Sequence, residues 1–450
     1  MTFQRDHWQA RLDELSAANH VPGATLAVLV DGEIHEFATG VLNRNTGVTT
    51  TTDSVFQLGS VAKIYTATLV MQLVETGLLD LDAPVRAVLP DFEVADDEAS
   101  RTVTPRQLLS HTSGLSGDFH LDTGRGDDCI ARYVEGCADL AQDCPPGTTV
   151  SYSGSGYVVL GRIVEVLTGM TWDRALRERV LAPLGLDHTM MLPEDLLRFR
   201  SAMGHLGAPG RAPDVAPVWE MMPRGFGPGA IVCASAAGVV RLAKAHLDGG
   251  ASVLTPDGVA AMQERQVDVP DKWTVSADGW GLGWTLYDWE GTPGFGHDGA
   301  ATGQYAYLRV VPGAGVAVAL LTNGGGARPL ATALLGELLA ATAGVPVPEP
   351  FGPTEAVVDI TPHLGTYRRE GVVITVDTRD GAPHLRYEFV DGMKDYPSMD
   401  MDLLPVSDTV FAASGAGPSF SDAYMPVVFS TLTDGRKCCY IGMRAAPKVA

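Results

Sequence analysis

Positive charge is scarce in this sequence. Its 450 residues include 32 lysines and arginines against 54 aspartates and glutamates, which gives a formal net charge of −22. A chain this acidic lacks the basic face that binding to a phosphate backbone or to anionic lipid requires, so nucleic acid and membrane surfaces are excluded as partners. No apolar run approaches the roughly 18–20 residues that would span a membrane.

The amino terminus also lacks the basic start and the apolar run of about 7–15 residues that are typical of a signal peptide. It is polar, with Trp8, Leu12 and Leu15 at helical spacing. The sequence therefore predicts a first helix in this segment and a cytoplasmic location for the protein.

Several patterns that carry chemistry are missing. The sequence has no G-x-S-x-G elbow, no H-E-x-x-H zinc motif, no phosphate-binding glycine loop and no C-x-x-C pair. We therefore predict neither a metal site nor a cofactor. The six cysteines of a cytoplasmic chain are predicted to be reduced, with a disulfide among Cys129, Cys137 and Cys144 as the alternative.

The first 345 residues have strands at both ends and helices between them. Residues 24–30 form an apolar run, Asp31-Gly32 is a turn signal and residues 33–38 return, which predicts a hairpin. Residues 304–311 and 315–321 are predicted to be the last strands. The simplest arrangement is an α+β domain in which the first hairpin pairs with the last strands of one antiparallel sheet, with helices on both faces. Apolar periodicity and capping residues predict a further strand at 281–287 and helices at 59–77, from 105, 156–168, 235–248 and 331–342.

The composition and the predicted secondary structure change after residue 345. Four prolines within residues 346–353 predict a stiff linker. From residue 354 to 450 the sequence predicts almost only short strands. Asp380-Gly381 and Asp434-Gly435 are typical of hairpin turns. We expect a small closed or nearly closed all-β barrel in this part of the chain.

Ser60 and Lys63 are the first candidate catalytic pair. They lie at the start of a predicted helix, three residues apart, so that the hydroxyl and the amine share one face. The helix amino terminus favours a developing negative charge, and a desolvated lysine can lose its proton near neutral pH and act as a base. A capping serine followed by a surface lysine is the alternative.

Two further segments could supply catalytic groups. Tyr152 lies in a run of serines and glycines at a loop-to-helix corner, where a tyrosine could relay a proton if nearby cations lowered its pKa. His297, Asp298 and Gly299 lie on a predicted strand, with His297 and Gly299 on one face and Asp298 on the other. A core aromatic and a structural histidine are the alternatives.

The order and spacing of these three segments resemble those of the serine β-lactamase and penicillin-binding-protein superfamily, in its class C-like branch. Supporting stretches are residues 56–60, 104–115 and 183–186. For residues 1–345 the resemblance implies the serine β-lactamase-like fold. It also implies that Ser60 is the acylated nucleophile, Lys63 its general base partner and Tyr152 the proton relay.

The resemblance further implies that His297 to Gly299 form the third motif, on the strand that lines the cleft. The backbone N–H groups of Ser60 and Ala300 would form the oxyanion hole. Removal of one such donor typically raises the activation barrier by roughly 3–4 kcal/mol.

Two positions depart from the pattern. Many relatives have Asn where this chain has Gly154, which removes a carboxamide and is expected to open room beside the nucleophile. β-Lactamases often have Lys where this chain has His297, which near its usual pKa is mostly neutral at pH 7. A neutral imidazole is a weaker carboxylate anchor and a better hydrogen-bond partner for Tyr152. Both departures argue against an efficient β-lactamase.

The C-terminal segment resembles the lipocalin-like domain of some members of this branch. The whole layout is most similar to the penicillin-binding-protein-type thioesterases, which cyclise nonribosomal peptides head to tail. The resemblance implies a peptidyl thioester or ester substrate, free or bound to a carrier protein. Gly154, Asp298, Gly299, Arg224, Gly229 and Arg444 are the candidate substrate-binding residues. A cytoplasmic esterase or D-amino-acid peptidase is the first alternative, and a slowly acylating sensor or binding protein is the second.

Overall fold

The computed structural model describes residues 3–449 except 118, 120, 209, 220–221, 347–348, 396 and 415–423. Its helices are α1 Arg5–Ala18, α2 Ala62–Glu75, α3 Asp97–Thr102, α4 Pro105–Leu109, α5 Cys129–Gly136, α6 Gly154–Thr168, α7 Trp172–Leu176, α8 Pro193–Leu196, α9 Gly227–Ala230, α10 Ala236–Leu247, α11 Pro256–Gln263 and α12 Ala327–Ala343. A 3-10 turn, Gly59–Val61, leads directly into α2.

The strands fall into two large sheets and a few short pairs. Up to residue 345 they are β1 Gly23–Val30, β2 Glu33–Asn43, β3 Val48–Thr49, β4 Phe56–Gln57, β5 Thr189–Met190, β6 His205–Leu206, β7 Asp214–Val215, β8 Cys233–Ala234, β9 Val267–Asp268, β10 Gly279–Trp280, β11 Thr285–Trp289, β12 Thr292–Ala301, β13 Gln304–Val311 and β14 Val316–Thr322. After it they are β15 Gly365–Arg369, β16 Val372–Arg379, β17 Ala382–Phe389, β18 Met399–Ser407, β19 Val410–Ser414, β20 Tyr424–Thr431, β21 Lys437–Ile441 and β22 Arg444–Pro447.

The central sheet has the order β3-β2-β1-β14-β13-β12-β11-β10-β9. The first hairpin therefore pairs with the last strand, and the register runs from Ala24 opposite Thr322 to Leu29 opposite Ala317. This confirms the predicted pairing and the α+β class. Apart from Thr25, β1 has no polar side chain, because both of its faces are buried. Ala27 and Leu29 pack into one hydrophobic cluster, and the alternate residues pack into the other.

Local signals account for several helix starts. Thr104 and Gln107 form a reciprocal capping box at the start of α4, and the Ser153 hydroxyl accepts the Gly156 N–H at the start of α6. The predicted strand at 281–287 is wrong in its first half, because Gly283 has a positive φ and turns the chain between β10 and β11. Helix α12 begins at Ala327, before the predicted residue 331, since a proline in the first turn needs no N–H partner.

The C-terminal strands β15 to β22 follow one another in a single antiparallel meander. Its ends approach through a bridge between Tyr367 and Lys448 and through the Val449 N–H, which donates to Thr366 O at 2.8 Å. This confirms the expected barrel, which is nearly closed and has eight strands among the described residues. The domain boundaries at 345 and 353 stay predictions, and positions 347 and 348 of the linker lie outside the described residues.

The six cysteines are buried and have free thiols. In the part of the chain that the structure describes, no helix combines the length and apolarity that crossing a bilayer demands.

Candidate active site

Ser60 lies half-buried where the turn before α2 meets β12. Two glycines allow this close approach. A Cβ on Gly59, whose φ is +52°, would lie 2.3 Å from Ala300 O, and a Cβ on Gly299 would lie 2.0 Å from Leu58 O. Any larger residue at either position would push the turn away from the strand. The same approach places the backbone N–H groups of Ser60 and Ala300 on neighbouring segments, as the oxyanion-hole prediction requires.

Lys63 is only 2% exposed, one helical turn after Ser60. Its Nζ donates to Ser60 Oγ at 3.3 Å and to the carbonyl oxygen of Gly229 at 2.7 Å. Burial, followed by the positive charge of Arg444, lowers the pKa of Lys63 to about 7. A large fraction of the amine is therefore neutral at pH 7 and can accept the proton of the Ser60 hydroxyl.

Two basic side chains lie over the Tyr152 ring. Lys63 Nζ is 4.8 Å from its centroid, and the Arg444 guanidinium is 5.7 Å away. Burial nevertheless raises the pKa of Tyr152, and this outweighs the opposite effects of the Ser60 hydroxyl and Arg444. The phenol therefore stays protonated, and it can donate its proton to a leaving group rather than act as a phenolate base.

His297 on β12 faces Tyr152, with the ring centroids 6.3 Å apart. Its Nδ1 lies 2.6 Å from the carbonyl oxygen of Asp298, which must accept, so Nδ1 carries the proton and Nε2 presents a lone pair. Burial and then the charge of Lys63 lower the pKa of His297 to about 4, so the ring is neutral at pH 7. Within the described ranges Nε2 has no hydrogen-bond partner, so the predicted bond to Tyr152 is not formed.

Asp298 points away from this cluster, as the strand alternation predicted. Both of its carboxylate oxygens accept from the Arg309 guanidinium on the neighbouring strand β13. The structure therefore gives Asp298 a salt-bridge partner and does not bring its side chain to Ser60. Gly299 does contribute to the cluster, through the close approach described above.

The space beside the nucleophile that Gly154 was expected to open is filled. A Cβ on Gly154 would lie only 2.4 Å from Cζ of Phe226, whose ring is buried. The expectation of extra room is therefore wrong, because an aromatic ring distant in sequence takes the place of a side chain at this position. Gly229 acts here through its carbonyl group, which holds the Lys63 amine.

The two candidate arginines have different surroundings. The Arg224 guanidinium donates to Asp173 at 3.0 Å and to Asp127 at 2.9 Å, so it is held by these carboxylates and is not part of the Ser60 cluster. Arg444 is the first residue of β22 in the barrel, and it does reach the cluster, over the Tyr152 ring.

Sequence reasoning missed His111 as a neighbour of the catalytic groups. Its buried ring lies 4.3 Å from the Tyr152 ring and 4.8 Å from that of Trp280. Its Nδ1 accepts the Ser153 N–H, which fixes the start of α6, and burial holds the pKa of His111 well below its ordinary value. The signal in the sequence is the stretch 104–115, which contains His111 and is one of those that carry the resemblance.

The contact between Gly154 and Phe226 makes a testable prediction. Gly154→Asn is expected to destabilise the protein by about 1–3 kcal/mol, because the added side chain overpacks against the ring. Phe226→Ala alone is expected to cost more, about 3–5 kcal/mol. The double variant should be more stable than the sum of the two effects predicts, since the asparagine then enters the space left by the ring. Denaturant unfolding checks this, and strictly additive effects would contradict it.

Together the Ser–Lys–Tyr cluster and the sheet with helices on both faces define a serine acyl-transfer enzyme. The chain belongs to the β-lactamase family, within the β-lactamase and penicillin-binding-protein superfamily, since the Beta-lactamase family model matches residues 8–342. It is 58% identical over 378 residues to "Penicillin-binding protein 4" of Amycolatopsis lactamdurans, which covers 82% of this chain and 99% of that protein.

Solved structures extend the likeness to the whole chain. The crystal structure of SurE matches with a TM-score of 0.80 and 31% identity, covering 99% of both chains, so the barrel is included. A class C β-lactamase from Rhodobacter sphaeroides matches with a TM-score of 0.60 and 24% identity, covering 74% of this chain, and shares the fold of the first part.

Proposed function

We propose that this enzyme is a standalone thioesterase that releases a nonribosomal peptide from its thioester or ester and closes it head to tail. The observation that carries the proposal is the buried Lys63 amine, which has a pKa lowered to about 7 and lies 3.3 Å from Ser60 Oγ in a site walled partly by the C-terminal barrel. The whole layout resembles that of the cyclising thioesterases, and this resemblance favours cyclisation over simple hydrolysis.

The first half of the reaction would form an acyl-enzyme. Ser60 Oγ attacks the thioester carbonyl while Lys63 takes the hydroxyl proton, and the N–H groups of Ser60 and Ala300 stabilise the oxyanion. The C–S bond breaks, and the thiol leaves with a proton that Tyr152 donates and regains from Lys63. The peptide is then held as an ester of Ser60, and both side chains have returned to their starting protonation states.

The second half would close the ring. The peptide's own terminal amine attacks the Ser60 ester, Lys63 or its Tyr152 relay accepts the amine proton, and Ser60 leaves with a proton. The lone pair on His297 Nε2 is suited to accept a hydrogen bond from that amine. Amine attack is favoured over water where the site is dry, and Lys63, Tyr152 and His297 are all buried.

A D-residue at the acyl position is the preferred substrate in this proposal. SurE has been crystallised with D-Leu, and that structure aligns with this chain over 99% of its length with 31% identity. The Arg444 guanidinium at the rim of the cluster would bind carbonyl oxygens of the peptide.

The proposal is tested with a linear peptide of about six to eight residues that carries a C-terminal D-residue as a small thioester. Products are followed by mass. Loss of the thiol without added water identifies the cyclic peptide. The matched control is the same peptide with an acetylated amino terminus, which cannot cyclise and should only be hydrolysed. Gain of water by the free-amine peptide would instead make the enzyme an esterase or peptidase. An acyl group that stays on Ser60 would make it a sensor.

A further inference from the structure

The tight turn between β21 and β22 touches the catalytic residue Tyr152. In this turn, residues 441–444, both Gly442 and Met443 have a positive φ, of 61° and 63°. The Met443 carbonyl oxygen accepts the Tyr152 N–H at 3.1 Å. On the other side, the Ala445 N–H donates to Ser151 Oγ at 3.2 Å. A methionine in the left-handed region persists only where surrounding contacts fix it, so this turn is held in place by the catalytic domain.

Asp271 supplies the third of these contacts. Its carboxylate is fully buried in the segment between β9 and β10, and its Oδ2 accepts the Met443 N–H at 3.2 Å. Thr274 donates its hydroxyl to Oδ2 at 2.6 Å and its N–H to Oδ1 at 3.2 Å. Burial raises the pKa of Asp271, while these donors and the charge of Arg328 act against that rise. A carboxylate this buried is tolerated only because its oxygens are occupied by donors.

Asp271 and the backbone of Tyr152 are therefore both hydrogen-bonded to the backbone of Met443, through its N–H and its carbonyl oxygen. The next residue in the turn is Arg444, whose guanidinium is 5.7 Å from the Tyr152 ring centroid, while Lys63 Nζ is 4.8 Å from the same centroid. Holding the turn thus holds a fixed positive charge beside the Lys63 amine. The titratable and charged groups that face this amine are Ser60, Tyr152, Tyr157, His111, His297 and Arg444.

We propose that Asp271 is a positioning residue for acyl transfer. Its carboxylate holds the 441–444 turn of the barrel against Tyr152, so that the barrel completes the site by fixing the Tyr152 backbone and the charge of Arg444. The inference rests on the proposed function only in so far as Ser60 is acylated, and it does not depend on whether the product is cyclised or hydrolysed.

The test uses the full-length protein and a fluorophosphonate probe, with Ser60 labelling rates measured by intact mass from about pH 5.5 to 9.5. In Asp271→Ala the turn loses an acceptor, Arg444 shifts, and the midpoint of the acid limb should move up by as much as about one pH unit. Asp271→Asn keeps an oxygen for the Met443 N–H, so its midpoint should stay near that of the wild type. Arg444→Gln should reproduce the upward shift.

Three comparisons show whether the shift of the midpoint comes from Asp271 and its contact with the turn. The double variant Asp271→Ala/Arg444→Gln should shift no further than either single variant, because both act by the same route. Asp278→Asn is the matched control, since this carboxylate lies in the same segment but accepts the Asp288 N–H, at 2.9 Å. It should leave the midpoint unchanged. If Asp271→Ala fails to fold, Thr274→Val, which removes one donor from Asp271, should give a smaller shift in the same direction.

An unshifted midpoint in a folded Asp271→Ala variant, or additive shifts in the double variant, would overturn the role of Asp271 while leaving the serine chemistry standing. Failure of the wild type to be labelled at Ser60 would instead remove the proposed function, and this inference with it.

Discussion

Ser60→Ala is expected to abolish acyl transfer, with kcat falling by about five to six orders of magnitude, the scale seen when a serine nucleophile is removed. In the proposed mechanism this hydroxyl forms the acyl bond, and neither the neighbouring lysine nor the tyrosine can replace it. Turnover of the peptide thioester and intact mass of the protein check the result, because the variant should also never carry an acyl adduct.

The fold should be unaffected by this change. Ser60 is half-buried, and an alanine at its position keeps the turn that the Gly59 and Gly299 approaches define. Ser252→Ala, a change at an exposed hydroxyl that bonds to Pro183 O, should leave turnover unchanged. Appreciable acylation of the Ser60→Ala variant at another residue would show that the nucleophile has been misassigned.

Lys63→Met is expected to lower the rate of Ser60 acylation by about two to four orders of magnitude, the usual contribution of a positioned general base. In the wild type the acid limb of the pH–rate profile should have its midpoint near pH 7, because burial and Arg444 lower the pKa of Lys63 to about 7. The amine is then a base above this pH and protonated below it. The variant should lack this limb altogether.

A matched variant, Lys63→Arg, separates charge from basicity. A guanidinium keeps the positive charge but stays protonated, so the arginine variant should be nearly as slow as the methionine variant. Arginine restoring most of the activity would mean that Lys63 acts only as a charge.

Lys63→Met is expected to lower activity without lowering the stability of the fold below pH 7. The folded protein releases the lysine proton near pH 7, whereas an unfolded chain keeps it to about pH 10.5, so the unfolded state binds more protons between these values. Wild-type stability therefore rises with pH across this window. Below pH 7 the methionine variant, which has no charge to bury, should melt at or above the wild-type temperature.

The sequence by itself determined the local parts of this protein. The three-residue step from Ser60 to Lys63 places both on one face of a helix turn whatever else surrounds them. Alternating and continuous apolar runs determined the strands, and capping residues such as Thr104 determined helix starts, because these signals act within a few residues. The resemblance of the three spaced segments to known serine enzymes then predicted that Tyr152 and His297 lie in the same site as Ser60.

Only the tertiary structure decided what surrounds these residues. No local rule predicts that the Phe226 ring fills the space at Gly154, that Asp173 holds Arg224 away from the cluster, or that the Gly229 carbonyl holds Lys63. Each contact joins segments tens of residues apart.

The same holds for the barrel's share of the site, where Asp271 and Met443 meet across more than 170 positions of the chain. Packing and burial, which set the pKa of Lys63, are properties of the whole folded chain. A sequence pattern that extends over one or two helical turns cannot predict packing and burial.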